Sequence, residues 1–119
     1  MNVNDSMKKL FEAIDQKDAE EFSSFLSDNV NFRFGNAPEI QGREEVKKTI
    51  DGFFNSIHSI NHEIEHILEM EDVVVSNGTV NYTRLDQSKL TVPFANVFKM
   101  DGKLIGEYQI YVDISDLYR

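Results

Sequence analysis

Cysteine is missing from the sequence. That removes disulfides, thiolate nucleophiles and cysteine-based zinc sites at once. Positive charge is scarce: 12 Lys and Arg stand against 21 Asp and Glu, for a formal net charge of −9. Nucleic-acid binders carry basic patches. Here the only dense basic pairs are Lys8-Lys9 and Lys47-Lys48, the second set among acids, so no nucleic-acid partner is expected. No stretch reaches the ~20 apolar residues of a membrane span, and the first residues are polar and acidic, unlike a signal peptide. Repeats, linkers and low-complexity tracts are also lacking. These absences predict one soluble, cytoplasmic domain over residues 1–119 with no membrane partner. With 40% hydrophobic residues, the chain is long and apolar enough to build a core without staples.

The apolar spacing changes period along the chain. Met7, Leu10, Phe11 and Ile14 recur at helical spacing after the capping residues Asn4, Asp5 and Ser6. Asp18 caps a second helix with Glu21 three residues on, and Phe22, Phe25 and Leu26 form its stripe. Val30 to Phe34 alternates as a short strand ended by Gly35-Asn36, and a third helix follows from Arg43 to about Ser56. From His58 onward the period is two. Strands are expected over His58 to Leu68, from Val73 to Arg84, and on each side of Asp101-Gly102. Asn77-Gly78 reads either as a tight hairpin or as a bulge in one long bent strand. Helices first and strands after them give an α+β fold, a curved antiparallel sheet closed on one face by three N-terminal helices.

The two strands joined at Asp101-Gly102 carry the candidate chemistry. With a two-residue turn at that dipeptide, Phe98 faces Ile105, Asn96 faces Glu107 and Leu90 faces Asp113. One face then holds Leu90, Val92, Phe94, Asn96 and Phe98 beside Ile105, Glu107, Gln109, Tyr111 and Asp113. A mostly apolar face with a few polar groups describes a pocket wall. Asn96 is an amide between two phenylalanines and needs partners once buried. Asp113 is the one carboxylate near the end of this face outside an acidic run. A desolvated aspartate suits a general base, because burial raises its pKa towards working pH. Tyr82 joins the face through the Asp86-Gln87-Ser88 loop. His62, between Ile60 and Ile64, points inward, either as a hydrogen-bonded core residue or as a titrating pocket group. His62-Glu63-Ile64-Glu65-His66 also matches the zinc metalloprotease pattern H-E-x-x-H, which requires a helix. In a strand the two histidines lie ~13 Å apart, so no metal and no other cofactor is expected.

Several pieces in order resemble the SnoaL-like polyketide cyclases of the nuclear transport factor 2-like superfamily, which also holds ketosteroid isomerases and limonene epoxide hydrolases. They are Leu10-Phe11-Glu12-Ala13-Ile14, Leu26-Ser27-Asp28-Asn29-Val30, Phe32-Arg33-Phe34-Gly35-Asn36-Ala37-Pro38 and Pro93-Phe94-Ala95-Asn96-Val97-Phe98, then Asp101-Gly102-Lys103 and Glu107-Tyr108-Gln109-Ile110-Tyr111-Val112-Asp113. The resemblance implies a cone of curved sheet, a cystatin-like α+β roll, around a deep apolar pocket, and a homodimer paired through the sheet's outer face. It favours the bulge at Asn77-Gly78. It places Phe34 where ketosteroid isomerases carry their base and Leu10 where they carry a tyrosine, so that mechanism is not expected. Asn96 falls at the position of their second oxyanion donor. Asp113 matches the catalytic acid/base of the cyclases. The hydrolases' Asp-Arg-Asp set is incomplete, with Asp113 and Arg84 present and no third member. The reading implied is a small-molecule enzyme of isomerase, cyclase or hydrolase type acting on an apolar substrate, with Asp113 as acid/base. Asn96, Tyr82, His62, Tyr111 and Phe94 would bind ligand. A non-catalytic ligand-binding or interaction module of the same fold is the alternative.

Overall fold

A computed structural model describes residues 3–118. Its elements are α1 (Val3–Asp15), α2 (Ala19–Ser23), β1 (Leu26–Phe34), β2 (Ile40–Gln41), α3 (Arg43–Asn55), β3 (Ser59–Met70), β4 (Val73–Thr83), β5 (Lys89–Asp101) and β6 (Leu104–Val112). The six strands form one sheet in the order β2-β1-β6-β5-β4-β3. All pairings are antiparallel except β1 with β6, which is parallel. The helices cover the concave side, where the core sits. The architecture is the expected α+β cone.

The helices form and seat themselves as their apolar spacing requires. Met7, Leu10, Phe11, Ala13 and Ile14 of α1 are buried as one face, and Val46, Ile50 and Phe54 do the same for α3. Asp18 caps α2 by accepting the Glu21 backbone N–H at 3.0 Å. Between α1 and α2 the chain turns at Lys17, whose φ is +56°. The Lys17 ammonium donates to the carbonyls of Ile57 and His58 at 3.0 and 3.1 Å. That contact ties the end of α1 to the start of β3.

Two bulges set which side chains face inward. In β3 the register shifts between Ile64 and His66, with Ile64 opposite Gly78 and His66 opposite Asn77. β4 runs on unbroken, so Asn77-Gly78 is not a hairpin, and the extra residue belongs to the partner strand. Gly78 is needed there because a Cβ would lie 1.9 Å from the Glu63 carbonyl oxygen. In β6 the extra residue is Gly106. Asp101 pairs with Leu104 and Met100 with Ile105, but Lys99 pairs with Glu107 and Phe98 with Tyr108. The turn therefore sits at Gly102-Lys103, one residue later than expected. Moving the turn alone leaves the inward set unchanged; the bulge reverses it. Beyond Gly106 it is Tyr108, Ile110 and Val112 that join the concave side, while Glu107, Tyr111 and Asp113 are exposed.

The narrow end of the cone is an aromatic cluster around Tyr108. Its ring lies 4.5, 5.2 and 6.0 Å from Phe98, Phe32 and Phe22, and such pairs add about 0.5–1.5 kcal/mol each beyond burial. At the other end, Arg84 donates to the carbonyls of Leu117 and Asp116 at 3.0 and 2.9 Å. This clamps the last turn against the sheet and buries Leu117. Gly78→Ala is expected to lower the unfolding free energy by about 3 kcal/mol or more, the upper range for overpacking, because the clash is with backbone. Urea denaturation of the variant beside wild type measures it.

Candidate functional site

A cavity lies between the concave sheet face and the helices. It is lined by Phe34 of β1, Ile50, Phe53 and Phe54 of α3, Ile60 and His62 of β3, and Tyr82 of β4. Phe94 and Asn96 of β5 and Tyr108, Ile110 and Val112 of β6 complete most of the wall. The free volume is about 30 Å³ for the centres of water-sized groups, room for about two waters. Among the described residues no Asp, Glu, Lys or Arg lines it.

His62 is the one imidazole among the described lining residues, and it is built in from three sides. Phe11 and Phe94 flank its ring at centroid distances of 4.9 and 5.1 Å. Asp15, the last residue of α1, lies 2.7 Å from Nδ1 through its Oδ1. Both oxygens of that carboxylate also accept the His62 backbone N–H at 3.1 Å. The side chains are 10% and 24% exposed. A carboxylate only accepts, so the proton sits on Nδ1 and the Nε2 lone pair is left as the basic nitrogen. A carboxylate so placed fixes the tautomer of an imidazole and steadies an imidazolium when one forms.

Other polar groups lie deeper. Asn96 is 2% exposed, and Tyr82 and Tyr108 are 3% and 2% exposed. Burial first, then the neighbouring Tyr118, pushes the Tyr82 phenol above its ordinary range. Burial, with Tyr82 nearby, does the same for Tyr108. Both phenols remain protonated at neutral pH and present hydroxyls, never phenolates.

The sequence-derived candidates separate here. His62, Tyr82, Phe94 and Asn96 are brought together on the cavity wall. Asp113 and Tyr111 are not. Asp113 lies past the end of β6 on the outside, where it accepts the Ser115 backbone N–H at 3.0 Å. Ser115 hydrogen bonds hold its carboxyl below the ordinary value, opposite to the raised pKa wanted of a general base. Tyr111 is 58% exposed. The Gly106 bulge accounts for both reversals. A glycine inside a strand pattern is the signal for such a bulge, and the hydrophobic residues after it, Tyr108, Ile110 and Val112, mark the corrected face. Asp15 carried a weaker signal, its place at the end of the apolar stripe of α1. The metalloprotease pattern does not assemble. His62 faces in, whereas His66, beyond the β3 bulge, is exposed and lies 3.0 Å from Asn77 Oδ1. Among the described residues no group of three or more His, Asp or Glu could hold a metal ion.

A family model described as a SnoaL-like domain matches residues 7–108. No curated protein matches the chain. Similar solved structures include a nuclear transport factor 2-like protein of unknown function from Burkholderia pseudomallei K96243, at 17% identity and a TM-score of 0.88. It covers 100% of this chain and 97% of that one. An LEH-like epoxide hydrolase of M. tuberculosis is 15% identical with a TM-score of 0.81, covering 96% and 84% of the two chains. A candidate SnoaL-like polyketide cyclase from Shewanella denitrificans OS-217 is 14% identical with a TM-score of 0.82, covering 97% and 95%. At these identities the likeness is one of fold.

Asp15→Ala should release the His62 ring and leave its backbone N–H without a partner, at a cost of about 1–3 kcal/mol. Nitrogen-15 NMR of the imidazole checks the tautomer: Nδ1 protonated in wild type, and that preference lost in the variant.

Proposed function

The chain belongs to the SnoaL-like domain family, and we propose that it is a small-molecule enzyme in which His62, held by Asp15, moves the proton. The family and its fold support a pocket enzyme in general terms. The observation that carries the finer reading is the Asp15–His62 pair, whose histidine lies on the wall of an apolar cavity. Cyclase- and isomerase-type chemistry needs a base that removes an acidic C–H proton and donors for the oxygen that gains charge. In this reading His62 Nε2 meets the first need and the hydroxyl of Tyr82, its diagonal neighbour across β3 and β4, meets the second. Asp15 stabilises the imidazolium as the proton arrives. Asp113 has no part in this scheme.

The substrate is neutral, slim and largely apolar. A charged group would enter a wall without a fixed counter-charge, at high desolvation cost. A bound molecule larger than about two waters displaces wall side chains, among which Phe34 and Phe53 are only half-buried. The test is hydrogen–deuterium exchange at the α-carbon of small neutral ketones in D₂O, followed by proton NMR. Wild type and Asp113→Asn should catalyse it alike, and His62→Gln should be slower by about 10²–10⁴, the range for a lost general base. Undiminished exchange in His62→Gln sinks the assignment. No exchange in any form, with ligands still bound, leaves a binding module of the same fold.

The partner is a second copy of the chain, seated on the outer sheet face. There Val75 stands opposite Val97 and Ala95 opposite the exposed Tyr111, an apolar strip on an otherwise acidic molecule. Sedimentation should give a dimer mass at micromolar concentration. A monomer at high concentration contradicts it.

A further inference from the structure

The inner end of the cavity holds polar groups for which proton transfer at His62 has no use. Asn96 Oδ1 and the Tyr108 hydroxyl are buried, on cavity-lining residues, and without a hydrogen-bond partner in the protein. Ser76 is paired directly with Asn96 across β4 and β5. It is 0% exposed, and its hydroxyl is unpartnered as well. A buried polar atom without a partner destabilises the fold. Three such atoms on neighbouring positions therefore point to a partner from outside it. They cannot relax towards one another cheaply. The Tyr108 ring is wedged among Phe22, Phe32 and Phe98, and Asn96 stands between Phe94 and Phe98 on its strand.

The register makes the two lining residues neighbours. Asn96 pairs with Ile110 and Phe98 with Tyr108, so Asn96 and Tyr108 are diagonal neighbours about 7–8 Å apart. A single heavy atom between their side chains can reach both. Oδ1 only accepts, and a phenol hydroxyl both donates and accepts. The complementary group must donate to Asn96 and accept from Tyr108. Water does both, and so does an alcohol or phenol hydroxyl that takes its place. A ketone has no proton to donate, and a carboxylate also brings a charge that no lining side chain neutralises.

We propose that this inner end is a hydroxyl-recognition subsite, and that the molecule bound is neutral and carries an alcohol or phenol hydroxyl. Its O–H sits between Asn96 and Tyr108, and its apolar body extends towards Phe34 and Phe53. This rests on the cavity being the small-molecule site, and it adds the chemical class of the ligand. It does not require His62 to be the base.

Nitrogen-15 NMR titration of the whole chain tests it with five probes of similar size: phenol, cyclohexanol, cyclohexanone, toluene and methylcyclohexane. Phenol and cyclohexanol should bind at least tenfold more tightly than toluene and methylcyclohexane, and the Asn96 side-chain amide signal should shift with the hydroxyl probes alone. Asn96→Leu and Tyr108→Phe should reduce the preference below twofold. Tyr108→Phe should keep or raise the melting temperature, since it deletes an unpartnered buried hydroxyl; a purely structural hydroxyl would lower it. His62→Gln should keep the full preference, which separates this subsite from the proton-transfer assignment. Cyclohexanone binding as tightly as cyclohexanol overturns the hydroxyl requirement. Equal binding of phenol and toluene, or no binding of any probe up to solubility, overturns the subsite.

Discussion

What fills the inside of this cone depends on the register in which β6 lies against β5. A strand offers alternate side chains to its two faces, so one extra residue exchanges the two sets. At Gly106 that exchange happens. It brings Tyr108, Ile110 and Val112 to the concave side and sends the acidic and amide-bearing set outward. Without it the core would hold Glu107 and Gln109 in place of Tyr108 and Ile110, and the aromatic cluster at the narrow end could not form. The cavity is apolar because of that bulge.

Its polar features come from elsewhere. Asp15 is the last residue of a helix and His62 lies early in an edge strand. Lys17, two residues beyond Asp15, fastens the same corner through the carbonyls of Ile57 and His58. Two contacts at one junction thus do separate things. The lysine holds the helix end against the strand, and the aspartate sets the orientation of the imidazole. The histidine is as precisely placed as the helix layer itself.

The sequence carries the fold in its change of hydrophobic period. α1, α3 and the long strands lie close to where that period predicts, and the parity of β4 and β5 is right, so Tyr82, Phe94 and Asn96 are legible as inward residues. The site is only half legible. Regular alternation carried through Gly106 puts Asp113 and Tyr111 inside, but the backbone inserts a residue there. The partner of His62 was hidden for a different reason. It lies 47 residues away, and no local pattern links a helix end to a strand start. The missing partners of Asn96, Tyr108 and Ser76 are a property of packing and are visible only in three dimensions.

The second bulge, in β3, bears on how the molecule behaves in a crowded solution. β3 is an outermost strand of the sheet, with backbone donors and acceptors available for pairing with another chain, and Leu68 and Met70 are exposed near its end. A flat strand of this length invites edge-to-edge aggregation. The shift at Glu65, opposite Gly78, breaks its regular spacing, and Glu63, Glu65 and Glu69 set negative charge along it. Filling Gly78 would therefore disturb a safeguard against fibrous association as well as the packing of one domain.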